Sequence, residues 1–549
     1  MAKGFLVSYA GYPYTPSSLM PDNGLASLAG SLLNAGHEVT ILDYGTVEII
    51  GRLMPASYKD RLKSIYDALA NGEHGGLWNR LYRLYKFTQL KRLDNTLSAV
   101  HNREAAAMAG ELSALVGRER PDFIGFKLWN GDGFYGSILM AERIRRDYPH
   151  IRIYGGGPHV YLFREMILEK SDVFDALVCD EGEEALLQLV ESSNSLKDIP
   201  NIIYKDNGRI VSNPVQRPQK LDDLPYPVYD ENVYPAMKGN SKIKVMVLDE
   251  SRGCIYTCPF CPQSSRDDNK WRKKSAVRIV DEVERAYKKL GVKLFRFGGQ
   301  FTPGKLMEEV AAEILRRKLK IKFTSFSHIN TMRNTDFSLL RQAGLIAVFF
   351  GVESCSQTIL DGSLEKHTTV EDIEAVLLKS KEAGIITVVS IIYPAPGDNE
   401  ITRRETIYTL LRVRPDSVLV YFPGIYPHSR WARNPEKYNI HLGKNYAEDN
   451  MDYKIKTMYP PQFWKPLPYT VDGKDFKAFT AETAEFVAEL ERNSLTTYMT
   501  DESMLLSRIL NMEASTYASE IKRMFYIGEK DAIADLVGKI NEKAIGNHV

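Results

Sequence analysis

The stretch "SRGCIYTCPFCPQSS", residues 251–265, places Cys254, Cys258 and Cys261 within eight positions. Five cysteines in 549 residues argue against a disulfide scaffold and for metal or redox chemistry. Three thiolates leave a tetrahedral shell one ligand short. Structural zinc closes its shell with four ligands, and the nearest histidines in sequence are His159 and His328, so zinc needs a fourth ligand supplied by the fold. An iron–sulfur cluster on three cysteines keeps one iron open, which suits a cluster that binds a ligand and acts on it. Structural zinc and buried free thiols are the plainer alternatives.

On either side of this loop the pattern is regular. "VMVLDESRG" reads as an apolar strand, "SAVRIVDEVERAYKKLG" as an amphipathic helix and "KLFRFGGQ" as the next strand. Alternation continues through "KIKFTSFSHI", "DFSLLRQAG", "LIAVFFGVES", "TVEDIEAVLLKSKEAG", "ITVVSIIYPAPG" and "DSVLVYFPGIYP", giving about six βα units between Lys242 and Pro427 and a parallel sheet. In such arrangements chemistry sits at the C-terminal ends of the strands.

The C-x3-C-x2-C spacing, with Phe260 just before the last cysteine, resembles the signature of the radical S-adenosylmethionine (radical SAM) enzymes. The resemblance implies a partial (β/α)6 barrel and a 4Fe–4S cluster on Cys254, Cys258 and Cys261. Gly298, Gly299 and Gln300 stand where the family has Gly-Gly-Glu and binds the amino group of S-adenosylmethionine. Gln in place of Glu keeps an acceptor oxygen and loses the charge. Glu353 and Ser354 of "GVES" resemble the ribose-binding residues, Lys366 is a candidate partner for the S-adenosylmethionine carboxylate, and "IIYPAPG" resembles the segment that flanks the adenine. Cys355 is a candidate proton or hydrogen-atom donor near a strand end that faces the cofactor, whereas Cys179 reads as a buried structural thiol.

The N-terminal third alternates in the same way through "GFLVSYA", "SLMPDNGLASLAGSLLNAG", "HEVTILD", "PDFIGFKLW", "GSILMAERIRRDYP", "IRIYGGGPH" and "VFDALVCDEGEEALLQLVE". This is a doubly wound, Rossmann-like sheet of about five strands, which binds ligands at its carboxyl edge. It resembles the cobalamin-binding domain that precedes the barrel in one subgroup of radical SAM enzymes. That resemblance makes Gly155, Gly156, Gly157, His159, Glu181 and Gly182 candidate cobalamin contacts. The loop from Tyr9 to Gly24 contains no histidine, so no axial imidazole is expected from it.

The expected organisation is α/β, with a cobalamin-binding-like domain over 1–200, interrupted by a helical insertion at about 45–121, and a connector over 201–240. The barrel then spans 241–430, and an aromatic loop with a helical C-terminal region fills 431–549. In the insertion, Tyr82, Tyr85 and Phe87 read as packing residues. With 71 basic and 70 acidic residues, no global electrostatic footprint for nucleic acid is present. No stretch reaches the roughly 18 apolar residues of a membrane helix, and the first residues lack a signal-peptide apolar run. A cytoplasmic enzyme without a membrane span is therefore expected. The resemblance implies methyl transfer to a carbon of a small molecule or peptide, using an external electron donor such as flavodoxin or ferredoxin. In the implied mechanism the reduced cluster cleaves S-adenosylmethionine, a 5′-deoxyadenosyl radical takes hydrogen from the substrate, and the carbon radical captures a methyl group from methylcobalamin. A radical cyclase, rearrangement or oxidative enzyme would share every motif, and a cobalamin- or metal-binding regulatory module is the reading from another class. A tRNA methylthiotransferase is disfavoured, because the cysteines for its second cluster are missing.

Overall fold

In the computed structural model, which describes residues 1–70, 77–191, 195–265 and 270–546, the chain divides into two units, each with its own sheet. The first comprises Met1–Arg217, Pro225–Ile243 and Ser519–Asn541. Its sheet starts with β1 (Lys3–Ser8), apolar at most positions and buried on both faces, as a central parallel strand must be. Parallel strands β2 (Glu38–Asp43), β3 (Phe123–Lys127), β4 (Arg152–Gly156) and β5 (Ala176–Val178) give the order β2-β1-β3-β4-β5. The switch of direction falls between β1 and β3. Helix Asn23–Asn34, which follows β1, is capped by Asp22, whose carboxylate accepts from Leu25 N–H.

The hairpin β6 (Ile202–Asp206) and β7 (Arg209–Ser212) extends this sheet antiparallel, β6 pairing with β5 through Leu177 and Ile203. Residues 201–217, read from the sequence as the start of a connector, therefore lie in the first unit, together with 225–243. Among the described residues the insertion forms helices Ala56–Ala70 and Leu77–Glu119; residues 71–76 lie outside them. Packing along the long helix begins at Leu90, Leu93 and Leu97. Tyr82 and Tyr85, expected to pack, are exposed instead, because they precede the buried stripe; the Lys86 ammonium lies over the Tyr82 ring.

The second unit comprises Pro218–Leu224, Lys244–Ala518 and Glu542–Val549. Its sheet has β8 (Met246–Leu248), β9 (Leu294–Phe297), β10 (Lys322–Ser327), β11 (Leu345–Glu353), β12 (Ile386–Ile392) and β13 (Ser417–Tyr421), all parallel and adjacent in chain order. Six strands form the open, partial barrel that the family resemblance implied. Between β8 and β9 a short antiparallel ribbon, Ser251–Arg252 with Arg272–Lys273, closes the base of the cysteine loop. Gly253 holds φ +82 there, and a Cβ would stand 2.1 Å from Lys270 O, so no other residue fits.

Past β13 the aromatic stretch contains a three-stranded antiparallel sheet, Ile440–Leu442, Tyr469–Val471 and Lys474–Asp475. The C-terminal helices are Phe476–Arg492, Asp501–Ile509, Ala514–Ile527 and Lys530–Ile545; residues 547–549, the end of the C-terminal region expected to be helical, lie outside the described residues. Before the second of these helices, Val418 N–H donates to Thr496 O, fastening the returning chain to β13. Among the described residues no helix is long and apolar enough to cross a membrane.

Candidate active site

The three thiols follow β8 in a tight loop. Cys261 N–H donates to Cys258 O at 3.1 Å, and Tyr256 N–H points at Cys254 Sγ at 3.5 Å. None of the three is in a disulfide. Burial raises the pKa of Cys254 and Cys258 and pushes Cys261 up to about 12; neighbouring thiols add to this at Cys254 and Cys261 and Glu353 at Cys258, and the Lys366 ammonium opposes it at all three. Three thiolates on one short loop need a cationic centre, which the iron of a cluster would supply. Among the described residues no three His, Cys, Asp or Glu side chains already converge as a metal-binding group. The donor set of three loop thiols fits cluster ligation by chemistry and sequence spacing.

Two residues beyond the barrel hold this loop from behind. Trp431 N–H donates to Pro259 O at 3.0 Å, Arg430 Nη1 donates to Thr257 O at 2.9 Å, and the Trp431 ring packs on Phe260 at 5.8 Å. Sequence reasoning missed both. The stretch "HSRWAR" carries no periodicity, and its contacts bridge 173 residues.

The strand ends around the loop carry the other candidates. After β9, Gly298 N–H donates to Leu248 O at 2.8 Å and Gly299 N–H to Glu250 Oε2 at 3.0 Å. A Cβ on Gly299 would stand 2.3 Å from Glu250 Oε1. Gln300 Oε1 accepts from Gly253 N–H at 2.8 Å, so its carbonyl oxygen is committed to the root of the cysteine loop. The carboxylate in this place is Glu250, which the sequence reading did not single out. It is fully buried and accepts from Thr302 Oγ1 at 2.6 Å; burial outweighs these hydrogen bonds and pushes its pKa up to about 7.

Glu353 ends β11 with φ 70, a left-handed value that a non-glycine residue rarely takes, and its carboxylate lies 3.6 Å from Lys366 Nζ. Lys366 is itself buried and lies over the Phe260 ring at 5.7 Å. Its burial acts to lower its pKa, but Cys258, Glu353 and the other two thiols overcome this and raise it. Ser354 Oγ lies 3.4 Å from Thr406 Oγ1, which accepts from Cys355 N–H. The Cys355 thiol, 2% exposed, is pushed up to about 12 by burial and stays protonated at neutral pH.

His328, which follows β10 and was named in the sequence only as a histidine distant from the cysteines, comes beside their loop. Its ring stacks on Tyr256 at 3.7 Å, Nδ1 accepts from Asn330 N–H, and Nε2 has no hydrogen-bond partner. Burial, reinforced by Lys366, lowers its pKa to about 2, so the imidazole is neutral. An orphaned buried nitrogen beside the cysteine loop fits a site that receives a polar ligand.

In the first unit the strand ends are held by paired groups. At the crevice between β1 and β3, Lys127 Nζ pairs with Asp22 at 2.7 Å and lies over Trp129 at 4.3 Å, while Trp129 Nε1 donates to Ser8 Oγ at 3.0 Å. Beside β2, buried Lys242 pairs with Asp43 at 2.5 Å, and Tyr234 O–H donates to the same carboxylate. Gly155 and Gly156 end β4, and Gly157 follows with φ 96. His159 is 0% exposed, packed between Phe134 and Phe163, with Nδ1 2.8 Å from Asn130 Oδ1. Asn130 is the exposed member of that pair. Glu181 and Gly182 follow β5, where Arg217 clamps Asp180 and Asn201 Nδ2 donates to Glu181 O. Asn130 and Gly157 are exposed at the sheet's carboxyl edge, where a doubly wound sheet binds its ligand.

Known proteins share this organisation. The radical SAM superfamily profile matches residues 251–410. An uncharacterized methyltransferase of Pyrococcus horikoshii is 28% identical over 345 residues, covering 62% of this chain and 74% of that protein. An anaerobic magnesium-protoporphyrin IX monomethyl ester cyclase of Rubrivivax gelatinosus is 27% identical over 337 residues, covering 56% of this chain and 58% of the cyclase, so this chain spans little more than half of its length. Among solved structures, the radical S-adenosylmethionine methyltransferase TsrM from Kitasatospora setae, with cobalamin and a 4Fe–4S cluster bound, superposes with a TM-score of 0.62 at 14% identity, covering 97% of this chain and 100% of TsrM. Over residues 251–410 the chain matches the radical SAM superfamily, and its two sheets have the fold of the cobalamin-binding structures TsrM and OxsB.

Proposed function

We propose that the protein is a cobalamin-dependent radical SAM methyltransferase acting on a carbon of a small molecule or peptide. The observation that carries this reading is the pairing, in one chain, of a three-thiol loop at the strand ends of an open barrel with a five-strand parallel sheet of the doubly wound kind. When bound, the cluster and S-adenosylmethionine supply a carbon-radical generator and the corrinoid a transferable methyl group.

The chain's own residues do the placing. Cys254, Cys258 and Cys261 would hold the cluster, and the Lys366 ammonium offsets their charge while standing ready for the S-adenosylmethionine carboxylate. Glu353 is placed for a ribose. Glu250 and Gln300 pin the Gly298–Gly299 peptide to the segment before Gly253, so the two loops that meet the cosubstrate share one frame. Trp271, Phe301 and Tyr256 form an aromatic chain beside them that excludes water. On the first unit, Gly155–Gly157, Asn130 and the Glu181–Gly182 turn are the surface offered to cobalamin, with His159 acting through Asn130. An external one-electron donor such as flavodoxin or ferredoxin, a cytoplasmic setting and a substrate other than nucleic acid belong to the same reading.

Methyl-labelled S-adenosylmethionine tests it. The label should enter the product, with 5′-deoxyadenosine and S-adenosylhomocysteine formed alongside. The cyclase relative favours one second reading, radical ring closure, in which 5′-deoxyadenosine is released and the product carries no label.

A further inference from the structure

At the end of the second unit's barrel away from the candidate active site, a cavity of about 180 Å³ opens beside the starts of three neighbouring strands. Ile346 stands at the second position of β11, Ile386 opens β12 and Asp416 immediately precedes β13. From here β11 runs nine residues to Glu353, about 26 Å at a strand's rise, so this cavity is separate from the strand ends that carry the cosubstrate candidates.

Its polar lining is cationic. Arg341 comes from helix Phe337–Gln342, Lys381 from helix Val370–Glu382 and Arg508 from helix Asp501–Ile509, each in the last turn, against one carboxylate, Asp416. Basic residues in a last turn ordinarily answer free carbonyls. Lys381 does so, donating to Val413 O at 3.1 Å and to Arg414 O. The arginines are not needed for this. Gly344, Gly384 and Asn511 turn left-handed after the three helices, and backbone amides close their ends: Gly344 N–H donates to Arg341 O, Ile385 N–H to Ser380 O and Met512 N–H to Ser507 O.

No acid answers the arginines either. Asp416 Oδ2 is spent on Thr387, accepting from its N–H at 2.8 Å and its Oγ1 at 2.9 Å. Among the described residues neither the Arg341 nor the Arg508 guanidinium has an ion pair or a hydrogen bond. Lys322, which opens β10 alongside, has its pKa lowered by burial and then by the Arg341 charge, as happens where cations crowd together. Arg341 Nε lies 3.7 Å from the place a Cβ on Gly384 would take, so this side chain lies along an exposed turn; Arg508 is exposed as well, and the cavity is reachable from solvent.

The volume decides the class of ligand. Pockets for organic ligands hold roughly 300–1,000 Å³, so this one suits an ion. Helix Asp501–Ile509, which brings Arg508, packs on β10, β11 and β12. Its amino end is tied to the sheet by Arg296 of β9, which donates to Asp501 through Nε and Nη2 at 3.0 Å each. Arg508, at its carboxyl end, has no such tie among the described residues.

We propose that this cavity binds a small tetrahedral oxyanion of the phosphate class between the Arg341 and Arg508 guanidiniums, with Lys381 beside them, and that the bound anion ties the carboxyl end of helix Asp501–Ile509 to the base of the barrel. Guanidinium forks match such oxyanions in two-point contacts, and a dianion balances the two charges that no carboxylate meets. The site goes beyond the radical-enzyme reading and does not depend on it.

The test titrates the full chain, its cluster reconstituted anaerobically, with inorganic phosphate at fixed ionic strength, followed by phosphorus NMR and by the urea midpoint. The parent should bind phosphate saturably, sulfate should compete, acetate should bind about tenfold more weakly, and phosphate should raise the midpoint. Arg341→Gln and Arg508→Gln should each weaken phosphate binding about tenfold and lose that rise, with iron content and the phosphate-free midpoint as in the parent. Arg404→Gln, an exposed arginine on another helix, should behave as the parent does. Absence of saturable binding, binding undiminished in both cavity variants, an equal loss in Arg404→Gln, acetate bound as tightly as phosphate, or a midpoint that phosphate leaves unmoved would each overturn the proposal.

Discussion

The two sheets carry their polar groups at the same topological place, the carboxyl ends of parallel strands, and treat them in opposite ways. In the first unit each buried charge singled out there has its partner: Lys127 with Asp22, Lys242 with Asp43, Arg217 with Asp180. In the second, His328 Nε2 lacks a hydrogen bond and Glu250 carries a carboxyl raised to about 7. Unmet valence marks where chemistry is done, and satisfied valence marks a frame on which a preformed cofactor rests.

The sharpest break in this contrast is Cys258→Ala, which should abolish the cluster and S-adenosylmethionine cleavage together, read as iron content and 5′-deoxyadenosine yield. Full iron retention would show the thiols to be no more needed than the core thiol Cys179. On the satisfied side, Lys242→Met leaves Asp43 buried without its ammonium and should cost about 3–5 kcal/mol in chemical denaturation. Adding Asp43→Asn should recover much of it, and a single variant as stable as the parent would mean that the frame is not held by this pair.

Glu250 tests the unsatisfied side through pH. Its folded pKa of about 7 lies above the ordinary 4.5, so the folded chain keeps a proton that the unfolded chain releases. Its stabilising share is complete below about pH 4.5 and is lost as pH rises to about 7, a decline on the order of 3 kcal/mol. Glu250→Gln should flatten the stability profile across that window; an unaltered slope would place the proton elsewhere. The smallest expected effect is Lys366→Met, which should weaken S-adenosylmethionine binding about tenfold, near 1.4 kcal/mol, in an equilibrium binding assay, with iron content less affected. Unchanged affinity would remove Lys366 from the cosubstrate's partners.

The cysteine spacing and the strand–helix alternation were legible because they are local: ligand loops and periodicities lie within a few dozen residues. The clamp on the cysteine loop, Arg430 and Trp431, was not, since a side chain that reaches a carbonyl 173 residues away leaves no mark on its neighbours in sequence. Glu250 and Asp501 escaped notice for the same reason. Gln300 stood out for its position in a motif, but the structure turns its oxygen to Gly253 and gives the buried carboxylate to the strand before it. His159 shows the converse: a histidine after a glycine run reads as a ligand contact, and packing between two phenylalanines gives it a second task as a support for Asn130.

The division of the chain also governs the order in which the ribosome can finish it. The first unit closes with residues 519–541, where Tyr12 O–H donates to Phe525 O at 2.6 Å and a Cβ on Gly528 would strike Met54. These residues are synthesised after the whole barrel, so the nascent N-terminal sheet waits, incomplete, through several hundred further peptide bonds. The unit that starts first completes last, and a contact spanning 513 residues makes that closure a late event in its synthesis.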